Sequence, residues 1–363
     1  MSTRDDFEAA LNRGTKALGG IRRLGQIRDD DVKIAQTPKD EVFHSDKVTL
    51  YRYRPMDGVE PATGPIVIVY SLIGRYTVID LQDDRSLVRN LLARGSDVYV
   101  IDWGSPTRAD RFLSVDDYVD GYLDDCVEHI RRDSGHESVT LLGICEGGVF
   151  ATAYAALYPE KVKNLILTVT PIDFHADAAG ANAKGHGYIN LWTRNLQPAD
   201  IDDLVDTYGN LPGEVMASVF EMITPVRSLT KYNLDLFDIV GDDDKLMNFL
   251  RMEKWLADRP HHPGEAAKQW LKDLYHQNKL ARNEFRLSGR IVDLGNITMP
   301  VLNIFALGDH IVPAVCSQAL GPLVGTEDYT EVPLPSGHIG VFVSAKVQGL
   351  LGEKIISWLQ ERP

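Results

Sequence analysis

The hexapeptide Gly143-Ile144-Cys145-Glu146-Gly147-Gly148 constrains this chain more than any other feature. It is preceded by the β-rich run Ser138-Val139-Thr140-Leu141-Leu142 and followed by an Ala-rich stretch over residues 149–158 that Pro159 stops. Strand, tight turn and helix are therefore predicted in that order, with a nucleophilic side chain at the turn. The turn needs small neighbours because its central residue holds a strained backbone conformation in which a nearby Cβ would clash. An isolated G-x-C-x-G also arises by chance, and a buried cysteine more often packs than reacts. The surroundings must decide.

They do so through rhythm. The runs Val48-Thr49-Leu50-Tyr51-Arg52-Tyr53, Ile66-Val67-Ile68-Val69-Tyr70, Asp97-Val98-Tyr99-Val100-Ile101-Asp102, Val162-Lys163-Asn164-Leu165-Ile166-Leu167-Thr168-Val169 and Val301-Leu302-Asn303-Ile304-Phe305-Ala306 read as strands, most of them buried on both faces. Helical patterns over 84–94 and 115–132 fall between them, and the alternation predicts a mainly parallel sheet flanked by helices. Residues 1–40 are polar and charged and are expected to form an N-terminal helical segment. The α/β core is expected over 41–174 and 296–363, interrupted by a helical lid or cap over 175–295 that carries Trp192, Trp255 and Trp270. Such an insertion normally lies over the C-terminal strand edge where open α/β sheets bind ligands. A helical layer that only stabilises the sheet would have the same composition.

An elbow cysteine needs a base, and the base needs a carboxylate to hold its tautomer; the α/β-hydrolase chain order is nucleophile, acid, histidine. Asp309 follows the strand that ends near Leu307-Gly308, and His338 lies in Ser336-Gly337-His338-Ile339-Gly340 after the last strand-like run. Three candidates in the right order at strand ends point to an α/β-hydrolase fold with a Cys145, Asp309, His338 triad. Backbone N–H groups of Glu146 and of Ile73, in Ser71-Leu72-Ile73-Gly74, are the candidate oxyanion donors. Cysteine in place of serine suits acyl transfer from a thioester to a hydroxyl, because the enzyme-bound thioester is about as energetic as the substrate.

The remaining features exclude more than they assign. With 38 basic and 52 acidic residues the net charge is −14, which argues against nonspecific binding to nucleic acid or anionic lipid. No stretch approaches the roughly 18 apolar residues of a membrane span, and Met1-Ser2-Thr3-Arg4-Asp5-Asp6 lacks a signal-peptide core, so a cytoplasmic location is expected. Three cysteines (Cys126, Cys145, Cys316) without C-x-x-C spacing predict free thiols. His261-His262 reads as a solvated turn with no metal role, and Asp242-Asp243-Asp244 as a helix N-terminus. No phosphate-binding glycine loop is present, so no cofactor is expected beyond coenzyme A carried by the substrate.

Across residues 45–345 the chain resembles the polyhydroxyalkanoate synthases, especially the short class III catalytic subunits. The likeness rests on Asp80-Leu81-Gln82-Asp83-Asp84-Arg85-Ser86-Leu87-Val88, Val100-Ile101-Asp102-Trp103-Gly104, Leu157-Tyr158-Pro159-Glu160-Lys161-Val162-Lys163-Asn164, Val169-Thr170-Pro171-Ile172-Asp173-Phe174 and the Cys145 box. The resemblance implies polymerisation of (R)-3-hydroxyacyl-CoA, typically 3-hydroxybutyryl-CoA, with Cys145 carrying the chain and His338 as general base. It leaves Asp309 either activating the substrate hydroxyl or supporting His338, and it adds His310 as a further candidate. It also implies a homodimer, a PhaE-type second subunit and a location at polyester granules. Where class III members usually carry glutamine, this chain has Glu146, a carboxylate expected to disfavour the thiolate and to move the alkaline limb of the pH–rate profile. The alternative is a cysteine-nucleophile hydrolase of the same fold, a thioesterase or a dienelactone hydrolase-like enzyme.

Overall fold

The computed structural model describes residues 19–179, 187–223 and 239–362. The first part of the expected N-terminal segment (1–18) and two stretches of the expected cap (180–186 and 224–238) lie outside the described residues.

Eight described strands form one sheet: β1 (Lys39–Ser45), β2 (Val48–Tyr53), β3 (Pro65–Val69), β4 (Asp97–Asp102), β5 (Val139–Ile144), β6 (Val162–Thr168), β7 (Val301–Ala306) and β8 (Tyr329–Leu334). Their spatial order is 1-2-4-3-5-6-7-8. β2 runs antiparallel to both neighbours, and every other pairing is parallel. The strands predicted at 48–53, 66–70, 97–102, 162–169 and 301–306 are all present to within a residue or two. β1 was not foreseen. It is an edge strand carrying Lys39, Asp40, Glu41 and Ser45, and an edge exposed to water leaves no apolar run to read.

Period-two alternation divides the strand side chains between two cores. Val67, Val69 and Leu141 face one layer, while Ile66, Ile68, Leu142 and Ile144 face the other. Among the described helices, in chain order, are α1 (Leu87–Leu92), α2 (Asp124–Ser134), α3 (Glu146–Leu157), α4 (Tyr188–Asn195), α5 (Pro198–Tyr208), α6 (Gly213–Ile223), α7 (Asp243–Ala257), α8 (Gly264–Lys268) and α9 (Gln348–Gln360), with short helices at Ala314–Gln318 and Gly340–Val343 before the last. α2 and α3 cover the first face, and α1 and α9 the second. The helix predicted over 84–94 shortens to α1 because Asp80–Gln82 and Arg85–Ser86 pair as a hairpin; the Ser86 hydroxyl then caps α1 by accepting from Arg89 N–H at 3.0 Å. The pattern over 115–132 opens with a π-helical segment, Asp117–Leu123, before α2.

α4 to α8 lie between β6 and β7 in the chain. Apolar side chains of α4, α5, α6 and α8, among them Ile189, Ile201, Met216 and Ala266, and of the π-helical segment Gln269–His276 that follows α8, among them Trp270 and Tyr275, belong to the same buried cluster as the first face of the sheet, whereas Trp255 of α7 joins the second. Phe174, Trp270 and Tyr275 pack edge to face at centroid distances of 4.6 to 5.7 Å. The insertion is thus fused to the core by packing. Asp242 caps α7 by accepting from Lys245 N–H at 3.1 Å, as the acidic run predicts. Cys126, Cys145 and Cys316 are free thiols. Among the described residues no helix is long and apolar enough to cross a membrane.

Candidate active site

Cys145 sits between β5 and α3 with φ 54° and ψ −123°, a left-handed backbone that a non-glycine residue adopts only under constraint. The constraint is visible. Cys145 N–H donates to the Thr168 carbonyl of β6, and Gly148 N–H donates to the Cys145 carbonyl, each at 3.0 Å. α3 presses so closely on the sheet that every residue from Glu146 to Ala156 is buried. A Cβ on Gly147 would lie 2.5 Å from the Tyr70 carbonyl oxygen and closer still to that of Val69, and one on Gly148 would run into the Thr170 hydroxyl. The half-buried sulfur therefore stands at the first turn of α3, whose positive dipole end favours negative charge there.

The turns after β7 and β8 bring the other two candidates to it. Gly308 N–H donates to the Ser336 carbonyl at 2.8 Å, tying one turn to the other. The Asp309 carboxylate is fully buried; Oδ1 accepts from Ile311 and Val312 N–H at 2.8 and 2.9 Å, and Oδ2 from His338 Nδ1–H at 2.7 Å. His338 has Cys145 as its other hydrogen-bonding neighbour. Burial alone would depress the proton affinity of this imidazole. The negative charges of Asp309 and then Cys145, with hydrogen bonds to both, override that and hold its pKa well above the ordinary value. Since the folded value exceeds the unfolded one of about 6.5, the imidazolium stabilises the fold fully below that pH, and its contribution is lost as pH rises through the raised value. His310 lies on the exposed turn next to Asp309.

Removing the Asp309 charge takes away the first of the attractions that raise the His338 pKa. Asp309→Asn is expected to lower the pH midpoint of the His338 imidazole, followed by NMR, by about one unit or more. A midpoint that stays in place would mean that the carboxylate does not govern the pair.

Two readings from sequence need correction. His262 is not a solvated turn residue: it is 2% exposed, and its backbone pairs in both directions with Leu211. Its Nε2 lies 2.7 Å from Glu146 Oε1, and the carboxylate it meets is fully buried. Glu146, in turn, does not leave its charge bare beside the thiol. Oε2 accepts from the Ser71 hydroxyl at 2.9 Å and from Leu72 N–H at 2.8 Å, so with His262 three partners hold the carboxylate. The second candidate oxyanion donor, Ile73 N–H, rests on Ser71 Oγ at 3.0 Å. Sequence reasoning also passed over Tyr70 and Tyr275. Burial, then the charge of Cys145, pushes both phenols up, with Glu146, Cys316 and Asp309 adding to the effect at Tyr275, so both stay protonated in the neighbourhood of Cys145. Only their proximity in space marks them.

Residues 64–345 match the sequence model of the α/β hydrolase fold. A hydrolase from Pseudomonas aeruginosa has the same fold, with a TM-score of 0.53 at 15% identity over 88% of this chain and 98% of that one. The poly(3-hydroxyalkanoate) polymerase subunit PhaC of Synechocystis sp. is 46% identical over 99% of this chain and 93% of its own length. The corresponding subunit of Allochromatium vinosum is 44% identical over 94% of this chain and 95% of its own length. Likeness of that degree from end to end, on a sheet that carries cysteine at its elbow, makes this chain a member of the PhaC family of poly(3-hydroxyalkanoate) polymerase subunits.

Proposed function

We propose that this chain joins (R)-3-hydroxyacyl groups, 3-hydroxybutyryl foremost, from their CoA thioesters into a polyester, with Cys145, His338 and Asp309 as its catalytic residues. The observation that carries the reading is the line Cys145, His338, Asp309 in a chain matching PhaC subunits over nearly its whole length. The Cys145 sulfur attacks the thioester carbonyl, its proton passing to His338 and from there to the departing CoA sulfur, which leaves an acyl thioester on Cys145. A 3-hydroxyl then gives its proton to His338 and attacks that thioester, making one ester bond and freeing the thiol. Both Asp309 oxygens are already committed, one to two backbone N–H groups and one to His338. We therefore assign Asp309 to holding the imidazole and not to contact with the substrate hydroxyl. The N–H of Glu146, first in α3 and so without a partner within the helix, faces the acyl oxyanion; Ile73 N–H, which donates to Ser71 Oγ, joins it by sharing its hydrogen between the two oxygens. His310 is given no step.

No cofactor enters this scheme; coenzyme A arrives and leaves with the substrate. A homodimer working with a PhaE-type second subunit at the surface of polyester granules completes the proposal. Purified protein given 3-hydroxybutyryl-CoA, with and without that subunit, is expected to release CoA while insoluble polyester accumulates, faster with the subunit present. Release of CoA with monomeric 3-hydroxybutyrate and no polymer would identify a thioesterase or dienelactone hydrolase-like enzyme instead.

A further inference from the structure

We infer that Glu146 and His262 are a buried pair of positioning residues through which the cap holds the oxyanion loop in register with the elbow. The inference rests on the acyl-transfer reading above for the role of that loop.

Glu146 is rooted in the elbow, because its side chain leaves the first residue of α3, directly after Cys145. Its Oε2 fastens the loop after β3 at two points, the Ser71 hydroxyl and Leu72 N–H. The first contact has a second effect. With its hydrogen directed at Glu146, the Ser71 oxygen turns a lone pair toward Ile73 N–H, so the carboxylate also sets the position of the candidate oxyanion donor one step away. Oε1 is held from the opposite side by His262.

His262 is itself anchored to the cap. Leu211 N–H donates to the His262 carbonyl at 2.9 Å, and His262 N–H donates back at 3.0 Å. Two residues on, Gly264 N–H donates to Asn210 Oδ1 at 3.2 Å, and Asn210 Nδ2 donates to the Thr107 carbonyl at 2.7 Å. The path from cap to oxyanion loop is thus continuous: Leu211, His262, Glu146, Ser71, Ile73. A carboxylate excluded from water is costly unless its lone pairs are met. The same burial that makes the pair demanding makes its geometry rigid. Donors aimed before the reaction at the developing oxyanion act on the transition state more than on bound substrate, so the pair is expected to act on kcat.

The test compares two charge-free double variants, which avoids leaving a lone carboxylate in the interior. Glu146→Gln with His262→Leu keeps an amide oxygen for Ser71 and Leu72; Glu146→Leu with His262→Leu keeps none. CoA release is counted whether the acyl group ends in polymer or in free acid, so the result stands apart from the polymerisation reading. The glutamine double variant is expected to turn over about tenfold faster or more, in line with the worth of an oxyanion donor, with KM agreeing within about threefold. The single variant His262→Leu should fall below the glutamine double variant, since adding Glu146→Gln removes the unmatched charge. Equal kcat in the two double variants, or a difference confined to KM, would overturn the inference. Thermal melting of each variant separates a misfolded protein from a mispositioned loop.

Discussion

Cys145→Ala is expected to lower CoA release from 3-hydroxybutyryl-CoA by about 10⁴- to 10⁶-fold, the range set by removing the nucleophile from a triad that works as a unit. The expectation follows from geometry more than from residue type. The sulfur is the one side chain at the elbow, it neighbours His338, and a strained backbone fixes its direction. On the proposed mechanism, alanine removes the atom that would carry the acyl group and leaves the backbone donors in place, so any residual rate measures what those donors do alone. Cys145→Ser replaces a readily ionised thiol with a hydroxyl, and the ester it would form is less reactive toward the next hydroxyl, so polymer formation should also fail there. Steady-state assay of released thiol checks both. A rate for Cys145→Ala within tenfold of the parent would require another nucleophile.

Gly147→Ala is expected to cost about 3 kcal/mol or more of stability and most of the activity, from one added methyl group. The conflict is one of contact and not of backbone conformation. The new Cβ would run into the carbonyl oxygens of Val69 and Tyr70, and neither is a flexible side-chain end that could move aside. Relief requires α3 to retreat from β3, which carries the Glu146 N–H and the sulfur away from the oxyanion loop. Gly349→Ala is the control: in α9 an added Cβ meets nothing within 4 Å, so that change should be neutral or slightly stabilising. Thermal unfolding of the two variants side by side decides the matter, and equal melting temperatures would show that α3 can yield.

These two glycines both occupy helices, and only the motif around Cys145 marks Gly147 as the one without room for a Cβ. What the chain carried openly was periodic or ordered. Apolar runs gave the buried strands, glycines around Cys145 gave the elbow, and the succession of cysteine, aspartate and histidine at strand ends gave the candidate triad. Each of these is a short-range signal, since a strand buried on both faces and a turn with no room for a Cβ impose their demands on adjacent residues.

β1 escaped notice because an edge strand facing water is under no such demand. His262 was misread for a different reason. Beside a proline and a glycine it has the surroundings of a surface turn, yet the cap folds that turn inward against a carboxylate 116 positions away. Glu146 suffered the same error in reverse, its charge being judged by its neighbour in the chain when its partners come from the loop after β3 and from the cap. The amino-acid order by itself determined which backbone would form and which side chain would stand at the elbow. Only the tertiary structure decided what surrounds that atom, because the partners of a buried charge are chosen by what is close once water has been excluded, and closeness across a hundred residues is written in no local pattern.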